Sequence, residues 1–205
     1  MPRGSHLSNA GSREGKARAD WPAGTVFTIG HSTHPIGAFI DLLCQAGIEM
    51  LVDVRSVPRS RRNPQFNIET LSGSLAAAGI GYRHLKPLGG LRHRSRDAAP
   101  SPNGLWTNEA FRNFADYSAT PEFRAGREEL SVLAARSRTV IMCAEALWWR
   151  CHRRIIADHL LAEGRSVAHI LGSGKIEPAN LTPGARQAPD GALVYPAPRG
   201  ERRKL

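Results

Sequence analysis

Residues 140–160, VIMCAEALWWRCHRRIIADHL, bring two cysteines, a glutamate, two tryptophans, two histidines and three arginines into one short stretch. Three chemistries use such a set: a thiol nucleophile, a metal clip, or an anion cradle. The apolar run TVIMCAE (139–145) predicts a strand and CHRRIIADHLLAEG (151–164) a helix. Cys143 then falls near the carboxyl end of a strand, and Cys151 at or just before a helix N-terminus. Helix ends and nearby arginines both lower a thiol pKa. At about 100° per residue, the apolar face of the helix centres on Ile156, Ala157 and Leu160. Arg153 projects from that same face with His152 beside it, while Cys151 lies toward the flank. An inward arginine at a helix start suits an anion; pairing to Asp53 or Glu145 for structure alone is the competing role. A metal needs about four ligands with short-range pairs. Cys143, Cys151 and His152 are three at loose spacing without CxxC or HxxxH, so no metal is assigned and no cofactor is identified.

Further polar groups stand after other predicted strands. TIGHST (28–33) offers Gly30 for a close backbone approach and His31 as a base or phosphate donor. VDVRSVPRSRR (52–62) places Asp53 and Arg55 at a strand end, followed by a loop carrying Arg59, Arg61 and Arg62. Arginine loops attract phosphates, whether of nucleotides or of nucleic acid. Tyr82 and His84 share one face of their strand. LGSGK (171–175) lacks the full phosphate-loop pattern. Trp148 and Trp149 in a loop can stack on a base or wall a pocket, with burial against a neighbouring helix the commoner fate of tryptophan. Cys44, inside a helical pattern, reads as core.

The elements that must position these groups alternate. Strands are expected at 25–31, 49–56, 81–86, 139–145 and 166–171, with helices at 35–47, 68–79, 107–118, 121–137 and 151–164 and a long loop at 87–104. Alternation of this kind implies an α/β fold: one domain with a mostly parallel open sheet of about five strands flanked by helices. Ligands bind such sheets at the carboxyl edge, where all of these polar groups gather, so a single shared crevice is expected. The domain is expected to span 25–184. Residues 1–24 read as a disordered lead-in, in which PRGSH looks like a remnant of a protease site and tag. Residues 185–205 read as a basic Pro/Gly-containing tail.

Composition bounds the partners. The chain has 205 residues, 41% hydrophobic and 22% charged, ordinary for a globular domain. No apolar run is long enough to span a bilayer, and the polar N-terminus is not a secretory signal, so a cytoplasmic location without membrane partners is expected. Three cysteines without framework spacing argue for reduced thiols. The net charge of +10 favours polyanionic partners, either a phosphate-bearing small molecule or nucleic acid; half of it lies in residues 1–20 and 186–205, where it can serve solubility alone. Oligomeric state is not legible.

TIGHST, VDVRSVPRS, the LGG at 88–90 and CAE followed by CHRRIIADHL together resemble the domain-of-unknown-function family 488, in order, over about residues 25–175. The resemblance points to His31, Asp53, Arg55, Cys143, Glu145, Cys151, His152 and Arg153. A weaker likeness is to rhodanese and cysteine-phosphatase domains, through LVDVRS and the strand-to-cysteine loop. Here six residues separate Cys143 from Arg150, longer than the usual phosphatase loop, and Glu145 puts a negative charge where an anion would sit. The expectation is a small thiol-dependent transferase or hydrolase acting on a nucleotide, nucleic-acid base or other phosphate-bearing substrate. Cys143 would be nucleophile or thiol donor, Glu145, His31 and His152 would move protons, and Asp53, Arg55, Arg59, Arg153 and Cys151 would form the anion subsite. The alternatives are a non-catalytic nucleic-acid-binding module and a rhodanese-like sulfurtransferase or phosphatase.

Overall fold

A computed structural model describes residues 21–94, 99–172, 174–189 and 191–198. Most of the expected lead-in, the end of the expected tail, part of the 87–104 loop and Ser173 of LGSGK lie outside these residues. The strands are β1 (Val26–Gly30), β2 (Met50–Asp53), β3 (Gly81–His84), β4 (Thr139–Cys143), β5 (Val167–Gly172), β6 (Lys175–Pro178), β7 (Arg186–Gln187) and β8 (Leu193–Val194). The helices are α1 (Ile36–Gln45), α2 (Ile68–Ala77), α3 (Glu109–Tyr117), α4 (Pro121–Arg136) and α5 (Arg153–Ala162). The main sheet runs β3-β2-β4-β1-β5-β6; its first five strands are parallel, and β6 is antiparallel to β5.

The central strands are apolar almost without interruption because both faces are covered. In β4, Val140 and Met142 face a core shared with Phe39 and Leu43 of α1 and with Leu71 and Leu75 of α2. Ile141 faces the opposite core, with Phe114 of α3, Phe123 and Leu130 of α4, and Ile155 and Ile156 of α5. The two helix layers thus lie on opposite faces. After β1 the chain travels toward β2, and after β4 it travels the other way toward β5. The two paths diverge at the carboxyl ends of β1 and β4, which are neighbours in register with Gly30 beside Cys143. Divergence of this kind opens a crevice at the sheet edge.

Cys44 of α1, expected in the core, is instead exposed, and two larger features also differ from the sequence expectation. The first is β6, whose exposed Lys175–Glu177 pair lies at 2.9 Å; charge on an exposed edge strand discourages further pairing. The second concerns the boundary at 185. The chain does not leave the body there: β7 and β8 pair as an antiparallel hairpin, and Leu193 and Tyr195 are buried. The Tyr195 hydroxyl donates to Asp158 on α5 at 3.0 Å, and its backbone N–H donates to Asn103 Oδ1 at 2.9 Å. Two apolar anchors among Pro, Gly and Arg were too sparse for a periodic signal. Among the described residues no helix is long and apolar enough to cross a membrane.

Candidate functional site

The motifs interlock at this sheet edge through their backbones. The N–H of His31 donates to the Cys143 carbonyl at 2.9 Å, and that of Ser32 to the Ala144 carbonyl at 3.0 Å. Ser32 holds φ at 46° to make the turn. A Cβ on Gly30 would stand 2.0 Å from the Glu145 carbonyl oxygen, so only glycine lets GHS and CAE meet. On the other side, Ser56 Oγ accepts from the Leu91 N–H at 2.8 Å and fixes the LGG turn. A Cβ on Gly90 would lie 2.4 Å from His152 Nδ1.

Between these loops lies a cleft of about 750 Å³ lined by His31, Arg55, Arg59, Cys143, Glu145 and His152, together with Ser32, Ser60, Asn63 and Gly90. Asp53 lies below its floor, fully buried. Arg55 donates to Asp53 from Nε at 2.9 Å and from Nη2, and Nη2 also donates to the Phe66 carbonyl at 2.8 Å. The Tyr82 hydroxyl completes the carboxylate at 2.8 Å. Arg55 Nη1 lies 3.3 Å from His31 Nε2. Guanidinium nitrogens only donate, so His31 accepts at Nε2 and gives its Nδ1 proton to the Ser32 carbonyl at 2.9 Å. Burial, with the Arg55 charge adding, pushes the His31 pKa down to about 4, and its ring stacks on Phe66 at 4.1 Å. His31 thus stands neutral beside Arg55, on the lining of the cleft. Arg55 keeps a single Nη1 hydrogen without a protein acceptor among the described residues.

The opposite wall carries the sulfurs. His152 Nε2 lies 3.0 Å from the Val54 carbonyl, which can only accept, so the ring proton sits there and the Nδ1 lone pair is free. Nδ1 lies 3.6 Å from Cys151 Sγ and 3.9 Å from Cys143 Sγ. Arg153 Nε donates to Cys151 Sγ at 3.3 Å, and its Nη2 donates to the Glu145 carbonyl. Burial opposes a charge on Cys151, but the bond from the Cys143 thiol, with the Arg153 charge adding, outweighs it and holds the Cys151 pKa well below the ordinary thiol range. The bond to Cys151 and then burial push Cys143 up, against the Glu145 backbone N–H that reaches its sulfur.

The predicted residues divide accordingly. Cys143, His31, Arg55, Arg59, Glu145 and His152 meet around the cleft. Arg153 and Cys151 are 1% and 3% exposed and stand behind its wall, where Arg153 braces the loop and a sulfur. Arg59 pairs with exposed Glu69 at 2.9 Å, and Glu145 turns its carboxylate to the Leu147 N–H at 3.2 Å. Sequence reasoning assigned no metal, yet the donor atoms of Cys143, Cys151 and His152 all lie within 4.8 Å of one another. It missed the parts of Phe66, Ser60 and Asn63, for which no residue pattern gave a signal; Tyr82 was signalled only by its strand face.

No curated protein and no solved structure matches the chain. The family described as Domain of unknown function DUF488 matches over residues 35–160, a range that holds the Asp53–Arg55 pair, the LGG turn and both sulfurs; the GHS turn precedes it and joins the site through hydrogen bonds. With more than half of its length matched in this way, the chain belongs to the DUF488 family.

Proposed function

We propose that this protein is a small enzyme that acts on a phosphate-bearing substrate, a nucleotide or nucleic-acid base among them, with Cys143 as its nucleophile. The observation that carries the reading is the Cys143 sulfur on the cleft wall, 3.9 Å from a histidine nitrogen whose lone pair is free. The thiol proton passes to His152 Nδ1 as sulfur bonds to the electrophilic centre, and the leaving group departs with that proton. The Glu145 N–H steadies the sulfur, the remaining Arg55 hydrogen and Arg59 meet the anion, and Cys151 with Arg153 sets the electrostatics behind the wall. Glu145, exposed at the mouth, disfavours a dianion placed directly over the sulfur and favours a phosphate held to the Arg59 side. The test is turnover by Cys143→Ser protein across nucleotides, sugar phosphates and oligonucleotides. A loss of at least about a hundredfold is expected; undiminished turnover removes the nucleophile.

A second reading, a nucleic-acid-binding module, draws on exposed Arg59, Arg61 and Arg62 beside the cleft. It expects salt-dependent DNA or RNA binding that survives Cys143→Ala and fails when these three arginines are replaced.

A further inference from the structure

The two sulfurs and the His152 lone pair draw together within 4.8 Å of one another. We infer that Cys143 Sγ, Cys151 Sγ and His152 Nδ1 bind a zinc ion whose fourth position opens to the cleft.

Geometry is the first support. In tetrahedral zinc sites the Zn–S bond is about 2.3 Å and the Zn–N bond about 2.0–2.1 Å, so a nitrogen and a sulfur on one ion stand about 3.6 Å apart. His152 Nδ1 is 3.6 Å from one sulfur and 3.9 Å from the other. An ion fits among these atoms with displacements of a few tenths of an ångström. Among the described residues this is the cluster of ligating side chains that draws together so closely.

The surroundings are the second support. A zinc-bound histidine characteristically donates its other ring N–H to a carbonyl or carboxylate, which fixes tautomer and ring orientation. His152 does so to the Val54 carbonyl at 3.0 Å. Arg153 Nε donates to the Cys151 sulfur at 3.3 Å, the kind of bond that steadies a metal thiolate. The ligands stand on firm elements: Cys143 ends β4, while Cys151 and His152 lead into α5.

The choice of zinc and of an open site follows from the donors. Two thiolates with one imidazole suit a soft or borderline cation, and a three-ligand set with a vacant vertex is the catalytic form for zinc. Cys143 and His152 line the cleft and Cys151 is buried behind them, so the fourth vertex faces the cleft. Two thiolates neutralise the ion, and Arg153 leaves the centre with one positive charge, favourable to an anionic substrate. The inference modifies the proposed function: a bound metal deprotonates a coordinating thiol outright, so in the zinc form Cys143 is already a thiolate, His152 Nδ1 is a ligand and not the base, and the leaving group takes its proton from solvent. Binding itself does not depend on that reading.

The experiment is zinc titration of metal-stripped full-length protein against a chromophoric chelator, with cobalt(II) substitution as a spectroscopic check and X-ray absorption of the wild-type zinc form. Expected are one zinc per chain, visible cobalt bands of tetrahedral intensity with thiolate charge transfer, and a shell of two sulfurs and one nitrogen. Cys143→Ser, Cys151→Ser and His152→Ala should each weaken zinc at least tenfold, and Cys44→Ser, on α1, should not. Absence of stoichiometric zinc, an oxygen-only shell or an octahedral cobalt spectrum overturns the inference. The absorption shell is read on wild-type protein, so it decides even where a variant does not fold. Zinc bound by these ligands while Cys143→Ser keeps full turnover would overturn the nucleophile and leave the site standing; a metal-free protein that loses turnover would do the reverse.

Discussion

Gly90 stands against His152 so closely that a single added methyl carbon would lie 2.4 Å from Nδ1. The contact couples the LGG turn to the sulfur wall across the cleft. In Gly90→Ala the ring must leave its bond to the Val54 carbonyl or the turn must lift from Ser56. Overpacking of this kind costs about 1–3 kcal/mol. Chemical denaturation should show that loss, and alkylation of Cys143 by iodoacetamide should slow as Nδ1 moves away. Unchanged stability together with unchanged alkylation would mean that the loop yields freely.

Asp53 and Arg55 form a buried pair with every carboxylate oxygen satisfied. Removing the cation alone strands a charge in the floor of the cleft, a change that typically costs about 3–5 kcal/mol. Arg55→Leu is expected near that figure, and the double replacement Asp53→Asn/Arg55→Leu should recover part of it. Urea midpoints of the four proteins give the coupling directly. Arg55→Lys is not conservative, because one ammonium cannot serve Asp53, the Phe66 carbonyl and His31 together.

Two histidines away from the sulfurs give the chain an acid sensitivity. Burial, with Arg127 adding, lowers the His159 pKa to about 3, and burial, with Arg153 adding, lowers that of His169 to about 4. Unfolded, both titrate near 6.5. Above that value neither state is protonated and the two contribute nothing. As pH falls from 6.5 toward 4 these two positions of the unfolded chain, and His31 as a third, take up protons that the folded chain refuses, so stability declines. Melting temperatures between pH 7.5 and 5 should fall with acid. His159→Gln, which can keep bonds to Ser118 and Arg127, should fall less steeply.

The segment beyond residue 185 is held by Tyr195 to Asp158 and Asn103. Tyr195→Phe removes one buried hydrogen bond and leaves Asp158 its bond from the Thr182 N–H; a loss of about 1–2 kcal/mol is expected. Truncation after residue 184 also withdraws Leu193 and the Tyr195 ring from the core beside Trp106. It should lower the melting temperature well beyond the point variant, which differential scanning calorimetry can compare.

The alternation of strands and helices was legible because each central strand is buried on both faces and each helix carries a capped or glycine-stopped apolar stripe. Thr120 and Pro121 at the start of α4 are an instance, with the Thr120 hydroxyl accepting from the Phe123 N–H. The placement of Cys151 was not legible. The helical wheel assumed that the helix begins at Cys151, whereas α5 begins at Arg153 and Cys151 is extended, at φ −126° and ψ 146°. An extended residue sends its side chain where no wheel predicts, here toward Cys143. Arg153 did lie on the inward face as counted, but its reach ended on a backbone carbonyl and a sulfur. The strand β6 escaped notice because KIEP presents only one apolar residue.

The position of β1 bears on where this protein can be cut. It is hydrogen-bonded to β4 on one side and β5 on the other, yet it precedes the matched range 35–160, and that range also stops inside α5 and omits β5. A fragment trimmed to those limits would expose one whole edge of β4 and strip the Cys143 and Ala144 carbonyls of their partners at His31 and Ser32. The matched range is thus narrower than the span that folds, and a fragment of this protein intended for expression should be bounded by its sheet.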